Sequence, residues 1–153
     1  MRLVLQRVKQ ASVTIDGAET CAIGAGLAVL VGICPADTEN ICEYMADKMA
    51  RLRIFDDADD NMNLSLLDVA GECLIISNFT LYAQCRKGRR PSFVEAAPPA
   101  QASRLFDCFV EKVRALKPKK LQTGEFGAHM EIDMTCDGPV TILLDSDQLV
   151  PKG

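Results

Sequence analysis

The chain has 153 residues, of which 48% are hydrophobic and 25% charged, and its formal net charge is −4 at a sequence pI near 5.0. These values are typical of one soluble globular domain over residues 1–153. They disfavour a protein that binds nucleic acid over its whole surface. No apolar run approaches the ~20 residues that cross a bilayer, so no membrane span is predicted.

The N-terminal part of the chain predicts three strands. Alternating apolar residues indicate a strand over 3–8, with 11–16 as its hairpin partner and the next turn at Asp16-Gly17. The continuous apolar run over 27–33 is flanked by glycines and is typical of a central strand.

Two amphipathic helices follow from the spacing of apolar residues. The first should begin near Asp37 or Thr38, and the second should begin around Pro98-Pro99 and end before Pro118. Further strands are predicted at 72–81, 130–135 and 140–144. The predicted fold is α+β: one domain of mostly antiparallel β-sheets packed with two main helices.

The seven cysteines are scattered and never form a C-x-x-C pair. A zinc site or a disulfide framework needs tighter grouping, so we predict reduced thiols in a cytoplasmic protein. The acidic segment 56–61 has calcium-loop spacing, but Met62 stands where the sharp turn requires glycine. No glycine fingerprint for a dinucleotide or phosphate loop is present, so neither a metal nor a cofactor is predicted.

Gly138-Pro139, directly before the last predicted strand, is the first candidate functional motif. Proline fixes its own φ and can follow a cis bond at modest cost. Glycine has no Cβ, so another molecule can approach the Gly138 backbone closely. The alternative interpretation is an ordinary turn into a strand.

The second motif is the polar end of the strand over 72–81. Alternation would put Asn78 and Thr80 on the face opposite Ser77 and Phe79. Two hydroxyls and an amide there can hydrogen-bond a carbonyl, a ribose or water, although such residues often only end a strand. His129 is the only histidine, so a hydrolase with Ser77 or Thr80 as nucleophile would need it as base.

Positive charge is concentrated in two places. These are Arg86, Lys87, Arg89 and Arg90 in a loop, and Lys112, Arg114, Lys117, Lys119 and Lys120 at the end of the second helix. Both patches could meet phosphates, although solvated surface is the simpler interpretation of each.

The two motifs, taken in order, resemble those of the Gly-cis-Pro type of D-aminoacyl-tRNA deacylase, a family that removes D-amino acids from mischarged tRNA. The resemblance runs through segments 1–8, 77–81, 87–93, 123–130 and 137–141. One departure is Asn78, where the family usually has glutamine. The amide group is kept, but its reach is shorter by one methylene.

The resemblance implies a homodimer whose active sites lie at the subunit interface, with each subunit inserting Gly138-Pro139 into its partner's site. A cis peptide would turn both carbonyls toward the α-amino group of the substrate. An L side chain would then collide with fixed backbone, whereas the hydrogen of a D-amino acid or of glycine would fit.

The resemblance also implies a role for each site residue. Ser77, Phe79 and Thr80 would lie at the reacting ester or terminal adenosine, with backbone N–H groups near Phe79 and Thr80 stabilising the oxyanion. The substrate-binding set would be Gly138, Pro139, Arg7, which braces them, Asn78, and Phe126 and Met130, which line the adenosine pocket. Either the ribose 2′-hydroxyl activates water or Thr80 is the nucleophile.

Two other functions remain open at the level of sequence. One is a small ester hydrolase that uses Thr80 or Ser77 with His129 as base. The other is a non-catalytic module that binds aminoacyl-tRNA without cleaving it.

Overall fold

A mixed sheet that curls until its two ends nearly meet forms the body of the protein. The computed structural model describes residues 1–151, so 152 and 153 of the predicted domain lie outside it. The strands are β1 (Arg2–Ile15), β2 (Ala18–Ile23), β3 (Gly26–Gly32), β4 (Phe55–Asp56), β5 (Met62–Leu64), β6 (Glu72–Ser77), β7 (Lys120–Thr123) and β8 (Glu131–Asp145). The helices are α1 (Glu39–Arg51), α2 (Pro99–Ala115), α3 (Ser146–Leu149) and a 3-10 helix, η1 (Phe79–Tyr82).

The strand order of the main sheet is β2-β1-β3-β6-β7, with β8 also paired to β1. Strand β1 is antiparallel to β2, β3 and β8, whereas β6 is parallel to both β3 and β7. The Sγ atom of Cys21 in β2 lies 3.4 Å from the carbonyl oxygen of Thr123 in β7, which joins the two ends of the curled sheet. The predicted α+β class is confirmed, and the sheet is mixed.

Alternate residues of the central strands enter two separate cores, which explains their continuous apolar runs. Leu27, Val29 and Val31 of β3 pack with α1 and α2. Ala28 of β3 packs with Leu74 and other residues inside the curl. Both faces of β3 are therefore buried, as the sequence predicts for a central strand.

The hairpin predicted between 3–8 and 11–16 is wrong, because both segments belong to the single strand β1. No glycine, proline or asparagine separates them, so the chain bends through irregular pairing with β8 and does not reverse. The turn predicted at Asp16-Gly17 is confirmed, and it leads to β2 as the true hairpin partner.

Both predicted helices are confirmed. Thr38 is the N-cap of α1, and its Oγ1 accepts a hydrogen bond from the backbone N–H of Ile41 at 3.3 Å. Helix α2 begins at Pro99, where the missing N–H costs nothing, and ends at Ala115. No helix among the described residues is long and apolar enough to cross a membrane.

The two last predicted strands, 130–135 and 140–144, are one strand, β8, interrupted by a bulge. Thr141 lies opposite Gln6 and Cys136 lies opposite Val8, so four residues of β8 face the single residue Arg7. Gly138-Pro139 is part of this bulge. A proline within a strand is tolerated at such a position because the ladder is already broken there.

Candidate active site

A cavity of about 710 Å³ opens at the carboxyl end of β6. Its wall includes five of the predicted site residues together with the only histidine. These are Ser77, Asn78, Phe79, Phe126, Met130 and His129. Among residues 1–151, neither a lysine nor an arginine lines the cavity. A mostly apolar cavity with a few polar groups at the end of a strand is a typical small-molecule site.

Asn78 ends strand β6 and starts η1. Its backbone N–H donates to the carbonyl oxygen of Val31 at 2.8 Å, which is the last ladder bond on this side. Its Oδ1 then accepts from the backbone N–H of Thr80 at 3.2 Å and from the Thr80 hydroxyl. A short amide side chain that bonds its own backbone competes with the sheet, so the predicted strand over 72–81 stops at Ser77.

The same contacts define what Thr80 can do. Its hydroxyl donates its proton to an amide oxygen, which is too weak a base to activate a nucleophile. Its backbone N–H is also occupied by Asn78. Thr80 itself lies outside the residues that line the cavity.

Phe79 presents both a ring and a backbone donor to the cavity. Phe79 is 57% exposed, and its ring meets that of Phe93 edge to face, with 5.0 Å between the ring centroids. The backbone N–H of Phe79 is the first of η1 and makes no hydrogen bond within residues 1–151. It is thus the better placed of the two oxyanion donors that the resemblance implies.

Phe126 and Met130 form the opposite wall. The Phe126 ring lies 6.1 Å from the ring of Phe106 in α2, which holds it in place. A Cβ on Gly124 would lie 2.5 Å from the Sδ atom of Met130, so the glycine leaves room for the Met130 side chain in its present position at the cavity wall. An aromatic ring beside a thioether suits a flat heterocycle.

His129 lines the cavity but is exposed and makes no hydrogen bond to Ser77 or Thr80 within the described residues. Glu125 and Asp133, the carboxylates close to it in sequence, do not bond to it either. The arrangement therefore lacks the bonded nucleophile and base that a serine or threonine triad needs.

The cysteines offer no alternative nucleophile. None of them lines the cavity among the residues described. Burial raises the pKa of the Cys73 thiol to about 12, and burial together with Cys108 raises the pKa of Cys42 to about 12. Thiols with such pKa values stay protonated and unreactive at neutral pH. The described residues also contain no group of three or more His, Cys, Asp or Glu side chains arranged to hold a metal ion.

Arg7 and Gly138-Pro139 form a second cluster. The Gly138-Pro139 bond is cis, and both residues are exposed. Arg7 is buried, and its Nε donates to the carbonyl oxygen of Asp137 at 3.2 Å. Its guanidinium also donates to the carbonyl of Ile54 at 2.9 Å, so it ties the bulge of β8 to the body of the subunit.

The second cluster lies far from the cavity in the same subunit. Arg7 pairs with Leu27 across the sheet, and the cavity begins near Val31, which pairs with Ser77. Leu27 and Val31 are four residues apart in the extended strand β3, so Arg7 and the start of the cavity are separated by roughly 13 Å along the sheet. One subunit therefore does not bring Gly138-Pro139 and Ser77 into a single site.

Part of the cavity wall was not predicted from sequence. Phe93 and the segment 96–99 line it, and the backbone N–H of Ala97 bonds to the carbonyl of Ile33 at 2.9 Å. Nothing in their local pattern marks them, because only tertiary folding carries the start of α2 to the end of β3.

The fold and cavity define a class: an α+β protein whose curled mixed sheet carries an apolar site at the end of a central strand. The family model described as D-Tyr-tRNA(Tyr) deacylase matches residues 4–145. The chain belongs to this family.

Two similar proteins carry the name D-aminoacyl-tRNA deacylase, and a solved structure has the same fold. The D-aminoacyl-tRNA deacylases of Thermomicrobium roseum and Thermotoga petrophila are 54% and 52% identical to the chain over 149 residues. The matched regions cover 97% of this chain and 96% and 99% of those proteins. A structure described as a c-Myc DNA Unwinding Element Binding Protein has a TM-score of 0.90 at 42% identity, covering 95% of this chain and 99% of that one.

A more distant structure, of a probable eukaryotic D-amino acid tRNA deacylase, has a TM-score of 0.82 at 17% identity. It covers 94% of this chain and 97% of that one. At this identity the likeness is evidence for the shared fold.

Proposed function

We propose that the protein hydrolyses the ester bond of D-aminoacyl-tRNA and releases the free D-amino acid and tRNA. The observation that carries the proposal is the cavity that Ser77, Asn78 and Phe79 line, in a chain of this family. Its apolar wall suits a terminal adenosine, and its polar end suits an ester. No two side chains of the described wall form a hydrogen-bonded pair of nucleophile and base.

We further propose that the active unit is a homodimer. Strand β8 pairs with β1 along one edge only, and its other edge is free within the described residues. A long free edge readily recruits another chain. Leu143 of the same strand is 76% exposed, which adds one large apolar side chain to the surface beside that edge.

In this dimer Gly138-Pro139 of one subunit would enter the cavity of the other. The roughly 13 Å that separate this segment from its own cavity support action in trans. Backbone held by Arg7 would face the α-carbon of the substrate and leave no room for an L side chain. A D-amino acid and glycine present only hydrogen there, so glycyl-tRNA, including tRNA-Ala mischarged with glycine, should also be hydrolysed.

The chemistry would use main chain and substrate groups. Water attacks the ester carbonyl carbon, and the Phe79 N–H stabilises the oxyanion while Ser77 and Asn78 orient the ester. The bond from that carbon to the ribose oxygen then breaks, and the ribose oxygen takes up a proton. The ribose 2′-hydroxyl is the proposed activator of the water, since the Thr80 hydroxyl is committed to Asn78. Phe126 and Met130 would pack on the adenine.

Incubation with matched D- and L-tyrosyl-tRNA tests the proposal. We expect release of tyrosine from the D ester only, measured as free amino acid over time. Equal release from both esters would contradict the steric filter. Binding of both without release of either would identify a non-catalytic aminoacyl-tRNA-binding module.

His129→Ala tests the triad alternative. We expect kcat/KM for D-tyrosyl-tRNA to change less than about threefold, whereas loss of a general base costs about 10²–10⁴-fold. The reason is that His129 has no hydrogen-bonded partner among the candidate nucleophiles. A drop of a hundredfold or more would instead make His129 the base.

A further inference from the structure

A loop of concentrated positive charge follows η1. We define the basic loop as residues 85–91, which hold Arg86, Lys87, Arg89 and Arg90 and no acidic residue. Two backbone hydrogen bonds join the ends of the loop. The N–H of Gln84 donates to the carbonyl oxygen of Ser92 at 2.7 Å, and the N–H of Ser92 donates to the carbonyl oxygen of Gln84 at 2.9 Å. All seven residues are exposed, and none of the four cations forms an ion pair within residues 1–151.

The basic loop lies at the rim of the cavity. It follows η1 and returns at Ser92, directly before Phe93. Phe79 and Phe93 both line the cavity, and their rings touch with 5.0 Å between centroids. The loop is therefore anchored at both ends to residues of the cavity wall.

The described wall of the cavity has no cation to neutralise phosphate, because none of its residues is a lysine or an arginine. An RNA whose 3′-terminal nucleoside enters the cavity would carry the phosphates of the preceding nucleotides to the rim. Solvated, unpaired cations are what such phosphates bind. The charge of the loop and the apolar wall of the cavity thus complement different parts of one substrate.

The other basic patch does not fit this role. Lys112 is paired with Glu43 at 2.9 Å, and Arg114 with Glu111 at 3.2 Å. Lys120 lies opposite Glu72 at the start of β6, five residues before Ser77, which is roughly 16 Å from the cavity along the strand. Three lysines remain there without an ion pair among the described residues and serve as a control: Lys117, Lys119 and Lys120.

We propose that the basic loop binds the ribose-phosphate backbone next to the 3′ end of the RNA substrate. The inference rests on the proposed function. The loop would contribute to the affinity for the substrate, and the residues of the cavity would carry out the hydrolysis. The affinity for RNA would decrease with rising salt concentration, because the loop contacts phosphates on an exposed surface.

Two variants with equal charge change test the proposal. One is Lys87→Gln/Arg89→Gln/Arg90→Gln, and the control is Lys117→Gln/Lys119→Gln/Lys120→Gln. Each is assayed on D-tyrosyl-tRNA and on 2′(3′)-O-(D-tyrosyl)adenosine, which has no phosphate. Binding of uncharged tRNA is measured separately by fluorescence anisotropy from 50 to 300 mM salt. Circular dichroism melting shows that each variant is folded.

We expect the loop variant to lower the ratio of kcat/KM for the tRNA ester over the adenosine ester by about tenfold or more. The slope of log Kd for uncharged tRNA against log salt should fall by about 2–3, roughly one for each phosphate that the loop no longer neutralises. The control should stay within about twofold of the unchanged protein, since exposed charges beyond a Debye length are screened.

Two outcomes would overturn the inference. One is an equal loss of kcat/KM on both esters in the loop variant, which would make the loop a support of the cavity. The other is an equal loss of tRNA affinity in the control, which would reduce the effect to net charge. If the unchanged protein cleaves neither ester, the proposed function fails, and the anisotropy data still decide the role of the loop.

Discussion

Gly138→Ala is expected to lower kcat/KM for D-aminoacyl-tRNA by at least about 100-fold, since a displacement near 1 Å can cost that much. Gly138 has a φ of +127°, which L side chains rarely adopt. An added Cβ would lie 2.8 Å from the backbone nitrogen of Val140, so the main chain of the bulge must move. Steady-state deacylation measures the change.

Gly17→Ala is the matched control for that variant. Gly17 also has a positive φ, +77°, but no atom lies within 4 Å of the added Cβ. It occupies the turn between β1 and β2, away from the cavity. We expect a comparable loss of stability, about 1–3 kcal/mol for the strained backbone, with unchanged kcat/KM. Full activity of Gly138→Ala would contradict the role of this segment.

Asp37→Ala is expected to cost about 3–5 kcal/mol in the free energy of unfolding, the usual result of removing one partner from a buried ion pair. The α-ammonium group of Met1 is fully buried and bonds to Asp37 and to Ser146, whose Oγ lies 2.7 Å away. The other carboxylate oxygen of Asp37 accepts from the backbone N–H of Cys34 at 2.8 Å. The substitution leaves a buried charge without its counter-ion.

Urea unfolding at a fixed protein concentration measures that loss, since the proposed dimer would make apparent stability depend on concentration. Asp47→Ala is the control, because Asp47 pairs with Arg51 in an exposed i,i+4 pair at 2.7 Å. Such pairs contribute about 0.3–0.5 kcal/mol. Similar midpoints for the two variants would show that the Met1–Asp37 pair is not a principal anchor of the fold.

Local patterns predicted the parts of the fold that local forces decide. The cap at Thr38, the proline at the start of α2 and the doubly buried strand β3 each have their cause within a few residues. The incorrect predictions concern segments whose structure depends on residues that are distant in sequence. β1 continues through Lys9 without reversing direction because β8 pairs along both of its halves, and no residue near Lys9 reveals that.

The candidate site also has one part that was predictable from sequence and another that depends on tertiary contacts. The motif at Ser77 to Leu81 marked one wall of the cavity from sequence, and the structure adds that Asn78 turns the chain there. Phe93 reaches the cavity only through tertiary contacts. Only the family resemblance predicts that Gly138-Pro139 acts at this wall. No rule of local structure connects two segments that lie far apart along the sheet.

Mixing two inactive variants tests the action in trans most directly. Gly138→Ala displaces the segment that is proposed to insert, and Ser77→Trp fills the cavity; each is first shown to be folded and inactive alone. In a mixed dimer, the cavity of the Gly138→Ala subunit would receive an intact segment from its partner. We predict recovery of about a quarter of wild-type deacylation after subunit exchange, since half the dimers are mixed and each has one complete site. A mixture as inactive as its parents, with mixed dimers present, would contradict the account.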